Sequence, residues 1–148
     1  MFPNAKGSEL LSVLATIDPA SQAAGAASTG WVPVANYFGF LALVQTGVLG
    51  TSATVDAKLQ QALDGAGTGA KDISGKAITQ IVKATGDNKQ ALINVKPEEL
   101  DTVNGFGFVR LSLTVGVAAS QTAAQIMGVN PRELPANAGN QAAVVQIV

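Results

Sequence analysis

The residues that come nearest to a reaction site lie in GAGTGAKDISGKAIT, Gly65 to Thr79. Glycines alternate at 65, 67 and 69, and a Gly75-Lys76 pair follows. Glycines ahead of a lysine suit a phosphate cradle, in which bare backbone N–H groups wrap the anion and an ammonium neutralises it. The spacing does not fit. A Walker-type loop needs G-x-x-x-x-G-K-[ST] between a strand and a long helix. Here the Gly69-to-Gly75 interval is one residue too long, Ala77 follows Lys76, and the next segment, AITQIV, is short and β-branched. The dinucleotide pattern G-x-G-x-x-G fails as well, because these glycines are two and two apart. The stretch reads as a glycine-permissive connection between strands.

Other chemistries fare no better. Asp56 shares the polar side of its segment with Lys58, and Glu98, Glu99 and Asp101 surround a turn, so no two carboxylates stand in environments that would split their pKa values. No D-x-D-x-D-G calcium loop is present, and Ser112 and Lys58 lack the G-x-S-x-G context of a nucleophile. Arg110 on a polar strand face predicts a cross-strand ion pair. With no histidine and no cysteine, the commonest general base, thiol nucleophiles, disulfides and Cys/His metal sites are removed together. The sequence predicts no enzyme, no cofactor, no metal and no small-molecule substrate.

Nine basic residues against ten acidic ones give no basic stripe for nucleic acid. The longest apolar region, YFGFLALVQTGVLG, is interrupted by Gln45 and falls short of the roughly 20 residues of a membrane span. MFPNAKGSELLSV lacks the basic-then-apolar order of a signal peptide, so synthesis and use on the cytoplasmic side are expected. Charged residues make up only 13% of the chain and apolar ones 47%. Two explanations stand open: an Ala/Gly-rich composition, or a surface that faces other protein in an assembly.

The elements that would carry these residues are strands. TVDAKLQQA, Thr54 to Ala62, alternates with Val55, Ala57 and Leu59 on one side. In FGFVRLSLTV, Val109, Leu111, Leu113 and Val115 alternate with Phe108, Arg110, Ser112 and Thr114. Leu10 to Asp18 reads as a strand stopped by Pro19, Ala20 to Gly30 as a loop, and Trp31 to Val34 as a short edge strand. Tyr37 to Gln45 reads as a strand covered on both faces, and Gln90 to Val95 as a further strand. AASQTAAQIMGV has helix-favouring Ala and Gln, but its neighbours favour sheet, and strand is preferred. Strands about 10–15 residues apart predict an all-β, antiparallel β-sandwich or jelly-roll-like single domain over 11–128. A 1–10 N-terminal arm and a 129–148 extended C-terminal arm flank it.

The order of elements from Ala15 to Pro135 resembles a family of small structural proteins of tailed bacteriophages, related to capsid decoration or cement proteins. TVDAKLQQALDGAGTGAKDISGKAITQI, INVKPEELD, GFGFVRLSLTVGVAAS and GVNPRELP carry the resemblance. It implies a virion component on the capsid surface, made in the host cytoplasm. Such a protein would bind an HK97-type shell of major capsid protein and pair with itself as a homo-oligomer, a trimer among the options. The alternatives are another virion part (tail-tube, tail-completion or head-spike base) and a carbohydrate-binding surface module. Interface residues expected on this reading are Phe2, the lone tryptophan Trp31, and the apolar end Val144, Val145, Ile147 and Val148, which would dock within the subunit or on a neighbour's sheet edge.

Overall fold

Side chains of a strand point alternately to opposite faces, so the alternation seen in the sequence dictates two sheets with one shared interior. The computed structural model describes residues 3–148, and Phe2 lies outside the described residues. Ten strands follow in order: β1 Leu11–Gln22, β2 Gly25–Ser28, β3 Val32–Pro33, β4 Tyr37–Thr46 and β5 Thr54–Ala62, then β6 Lys71–Ala77, β7 Ile81–Val82, β8 Gln90–Val95, β9 Phe108–Gly116 and β10 Ser120–Pro131. One sheet has the order β1-β10-β4-β8, here sheet A. The other, sheet B, runs β2-β9-β5-β6, with β3 also on β9 and β7 also on β5. All pairings are antiparallel. When β2/β3 and β6/β7 are each taken as one interrupted strand, eight strands remain in the order of a jelly roll.

The interior is filled from both sides. Val55, Ala57 and Leu59 of β5 and Val109, Leu111, Leu113 and Val115 of β9 face Phe40, Ala42 and Val44 of β4 and Ile126 of β10. Each fully buried Leu or Val there contributes about 1.5–3 kcal/mol relative to exposure. Tyr37 closes one end of this layer, its ring edge-on to Phe40 at 5.7 Å between centroids. The Tyr37 hydroxyl donates to Ser12 Oγ at 2.8 Å, and Ser12 Oγ donates in turn to the Ala136 carbonyl. That chain of bonds ties the segment after β10 to the body. Gln141 N–H completes the tie by donating to the Val13 carbonyl at 2.8 Å, while Val13 N–H donates to Asn140 Oδ1 at 2.8 Å.

Four expectations change. Pro19 does not end β1: the register shifts between Ile17 and Ala20, so Asp18 and Pro19 sit in a bulge of an edge strand, where a missing N–H breaks no ladder bond. The expected loop 20–30 contains the end of β1 and all of β2, small residues that the ladder of β9 holds regardless of propensity. The glycine-rich stretch is a loop only to Ala70. Lys71–Ala77 is strand β6, paired to β5 despite Gly75 at φ +72°. Finally, β4 is covered on its inner face only; Phe38 is 55% exposed, and Leu41 and Leu43 are half-buried. The strand expected over Ala118–Val129 is present as β10, Ser120–Pro131, because pairing with both β1 and β4 outweighs the helical preference of Ala and Gln.

Gly128 lies under Tyr37, and a Cβ there would stand 2.6 Å from the ring. Gly128→Ala is predicted to cost about 1–3 kcal/mol by overpacking. Gly107→Ala, with nothing within 4 Å of its added carbon, is predicted to change stability by less than about 0.5 kcal/mol. Urea unfolding of both variants checks this pair.

Candidate functional site: a sheet face without charge

The two sheets differ in what they turn outward. β4, β8 and β10 contain no Asp, Glu, Lys or Arg at all, and β1 contributes Asp18 only, in its bulge. Register places Val13, Met127 and Leu41 side by side across sheet A, with Gln125, Leu43 and Leu92 as the next row. Amides and a hydroxyl surround this aliphatic centre: Thr16 pairs Gln125, and Gln45 pairs both Ala123 and Gln90. The residues are half-buried in the middle of the face and open at its margin, Leu92 reaching 60% exposure.

The outer face of sheet B is built from ion pairs and amides instead. Lys58 Nζ lies 2.8 Å from Asp72, and Gln60 Nε2 donates to the same carboxylate at 2.7 Å. Arg110 Nε donates to Gln60 Oε1 at 3.0 Å, and Gln80 Nε2 donates to Asp56 at 2.8 Å. Lys71 pairs Asp101 at 2.5 Å and Lys76 pairs Glu99 at 2.7 Å, anchoring β6 to the segment before β9. Arg110 therefore finds an amide and an aromatic ring where an ion pair was expected. Lys76, the one candidate phosphate lysine, is held by a carboxylate.

The predicted interface residues separate. Trp31 is half-buried: Arg110 lies over its ring at 4.5 Å, and the backbone of Gly67 meets its indole edge so closely that a Cβ would stand 2.5 Å from Nε1. Its partners are in its own subunit. Phe106 and Phe38 are covered in the same way, by Lys71 and by Arg132, each at 4.2 Å. Val144 is half-buried, its N–H bonded to the Gln141 carbonyl. Val145, Ile147 and Val148 project outward at 92%, 47% and 106% exposure. Leu41, Leu43, Leu92 and Met127 were not singled out from sequence, although a signal existed: charge is distributed by strand, and three of the four strands of sheet A have none.

No arrangement for catalysis gathers among the described residues. Two hollows, of about 460 and 430 Å3, lie over Pro19–Ser21 with Gln45–Gly47 and beside Asn36–Tyr37 with Arg132–Gly139. Neither brings a nucleophile together with a base. No group of three or more acidic side chains suited to a metal occurs among the described residues, and no described helix is long and apolar enough to cross a membrane.

No protein-family model matches this chain, and no curated protein matches it. Solved structures resemble it in outline. A chain of the cowpea mosaic virus empty virus-like particle is 11% identical with a TM-score of 0.43, covering 88% of this chain and 85% of that one. A family 4 carbohydrate-binding module is 13% identical with a TM-score of 0.42, covering 89% and 92%. The C-terminal family 22 carbohydrate-binding module of Clostridium thermocellum Xyn10B is 15% identical with a TM-score of 0.38, covering 87% and 90%. The jelly-roll assignment rests on the strand order itself, and nothing about ligand or partner is taken from these likenesses.

Five carboxyls titrate below their ordinary range. A hydrogen bond from Thr68 lowers Asp64, and ammonium partners lower the rest: Lys58 for Asp72, Lys83 for Asp87, Lys76 for Glu99 and Lys71 for Asp101. A carboxyl depressed in the folded state adds stability above its unfolded pKa and loses it as pH falls through the folded value. With no histidine in the chain, we predict a melting temperature nearly constant from about pH 8 to about pH 5, declining only below about pH 4. Calorimetry across that range checks it; a step near neutrality would contradict it.

Proposed function

We propose that this protein is a structural component of a virus particle, a capsid decoration or cement protein. In this reading it lies on the outside of a shell of HK97-type major capsid protein and acts by adhesion without catalysis. The observation that carries the reading is the division between the two outer faces. A face with an aliphatic centre and a single charge, Asp18, at its margin loses little by leaving water, and returns about 25 cal/mol for each Å2 of apolar area covered. A face laced with ion pairs and amides is at home in solvent. The chain thus has one side suited to be covered and one suited to stay wet.

Added contact area on an assembled shell stabilises it by mass action, because the subunit binds the closed lattice and not its separated parts. Sheet A is the side we assign to the shell. The ordered contacts of the strand body leave the apolar end at Val145, Ile147 and Val148 to extend the same adhesion. A carbohydrate-binding role draws no support from Trp31, Phe38 and Phe106, each of which has a cation stacked on one face of the ring where a sugar platform needs a bare face.

The test is binding of the purified chain to purified shells, scored by sedimentation and by copy number per particle. The unmodified chain is predicted to saturate in hundreds of copies. Leu41→Lys/Leu43→Lys is predicted to weaken binding by about a hundredfold, since two charges would lose their water. Lys58→Ala on sheet B is predicted to leave it within about threefold. Equal loss from both variants, or binding to glycans and not to shells, would overturn the reading.

A further inference from the structure

Every open sheet edge is a template for another strand, and proteins blunt their edges with charge, proline, bulges, brevity or a covering segment. Three of the four edges here are blunted. β1 has two register shifts and Pro19, and Asn140 and Gln141 occupy both backbone groups of Val13. The β2/β3 edge is broken into four and two residues, the second piece containing Pro33. β6 carries Lys71, Asp72 and Lys76, with Gly75 at φ +72°.

β8 has none of these devices. Gln90–Val95 is six residues of unbroken register against β4, without proline, shift or charge. Among the described residues no hydrogen bond other than those to β4 reaches it. Its outward side chains, Gln90, Leu92 and Asn94, are all exposed. Lysines stand only beyond its two ends, at 89 and 96.

We propose that β8 is a self-pairing edge: two copies of this chain join antiparallel along it about a two-fold axis, fusing their A sheets into one of eight strands. A second copy is the occupant that fits, for three reasons. An antiparallel edge is complementary to itself under a two-fold rotation, so no second surface need be supplied. The register centred on Leu92 keeps inward residues facing inward, sets Leu92 opposite its own copy, and pairs Gln90 with Asn94, so no charge opposes a like charge. It also sets Lys89 opposite Val95 and Lys96 opposite Asn88, so that Lys89 and the copy's Lys96 stand a diagonal step apart at positions of opposite parity and not directly opposite each other. The outer faces of the two A sheets then form one continuous surface to which the strands contribute no charge except Asp18. A strand-edge contact alone is smaller than the about 800 Å2 per partner of a standard interface, so the pairing is reversible and concentration-dependent.

This inference does not depend on the shell, and its test uses the chain alone. The protein has no cysteine, so Leu92→Cys introduces a single thiol. Cross-strand Cβ atoms at such a pair approach to about 4.5–5.5 Å, near enough to disulfide geometry for a small adjustment. Under mild oxidant Leu92→Cys is predicted to give a covalent dimer at least about tenfold faster than Val103→Cys, a 95% exposed position away from β8. Sedimentation velocity of the unmodified chain is predicted to show a dimer that grows with concentration and that Leu92→Lys abolishes. Equal rates of cross-linking at 92 and 103, or a dimer untouched by Leu92→Lys, would overturn the proposal.

Discussion

The constraint on which this molecule depends is that a strand has two faces and only one can be spent on the interior. In sheet B the outward face is given to Asp56, Lys58, Gln60 and Arg110, whose bonds to Gln80, to Asp72 and, for Arg110, to Gln60 cost little in water. In sheet A the outward face of β4, β10 and β8 is aliphatic and amide, and its residues stay half-buried to exposed. The hydrophobic effect is satisfied within and left unfinished on one side. That imbalance goes with the low charge of the whole chain.

The loops and termini are consistent with the same division. The glycine-rich connection between β5 and β6 is pinned by Asp64, whose carboxylate accepts from the N–H groups of Ala66 and Thr68 at 2.9 and 3.0 Å. It packs against Trp31 and so braces the charged sheet. Three of the four described non-glycine residues with positive φ, Ser52, Asn88 and Val117, lie in connections at the opposite end of the sandwich, the fourth being Asn130 in β10. Val117 at φ +71° is β-branched and 72% exposed, a conformation such a residue adopts only when its surroundings impose it. Here the β9–β10 connection is fixed by close packing of Gly50 against Ala118 and Ala119.

Much of this was legible in the sequence where local pattern and tertiary demand agree. Thr54–Ala62 alternates cleanly and is strand β5 at the same bounds, because its inner face meets the core and its outer face meets solvent. Phe108–Gly116 is as readable for the same reason. The reading failed where a neighbour overrides propensity: β6 is a strand because its backbone pairs with β5, a fact no local window contains. Pro19 misled because proline is forbidden only where a ladder bond is needed, and sequence alone does not say which strand is an edge. The uncharged strands of sheet A escaped notice for a related reason. Its residues are scattered over β1, β4, β8 and β10, and only the strand order assembles them, whereas Trp31 stood out by rarity and turned out to be engaged by Arg110 and Gly67.

The central claim is that the outer face of sheet A is covered when the subunit is in place. Met127 lies in the middle of that face, half-buried beside Val13 and Leu41, and the only other methionine is Met1. Its oxidation to the sulfoxide by peroxide, followed by mass spectrometry, is therefore a direct reporter of coverage. The account predicts that Met127 of shell-bound subunits oxidises at least about tenfold more slowly than in the free chain. Equal rates in the two states would mean that sheet A still faces water on the particle, and would contradict it.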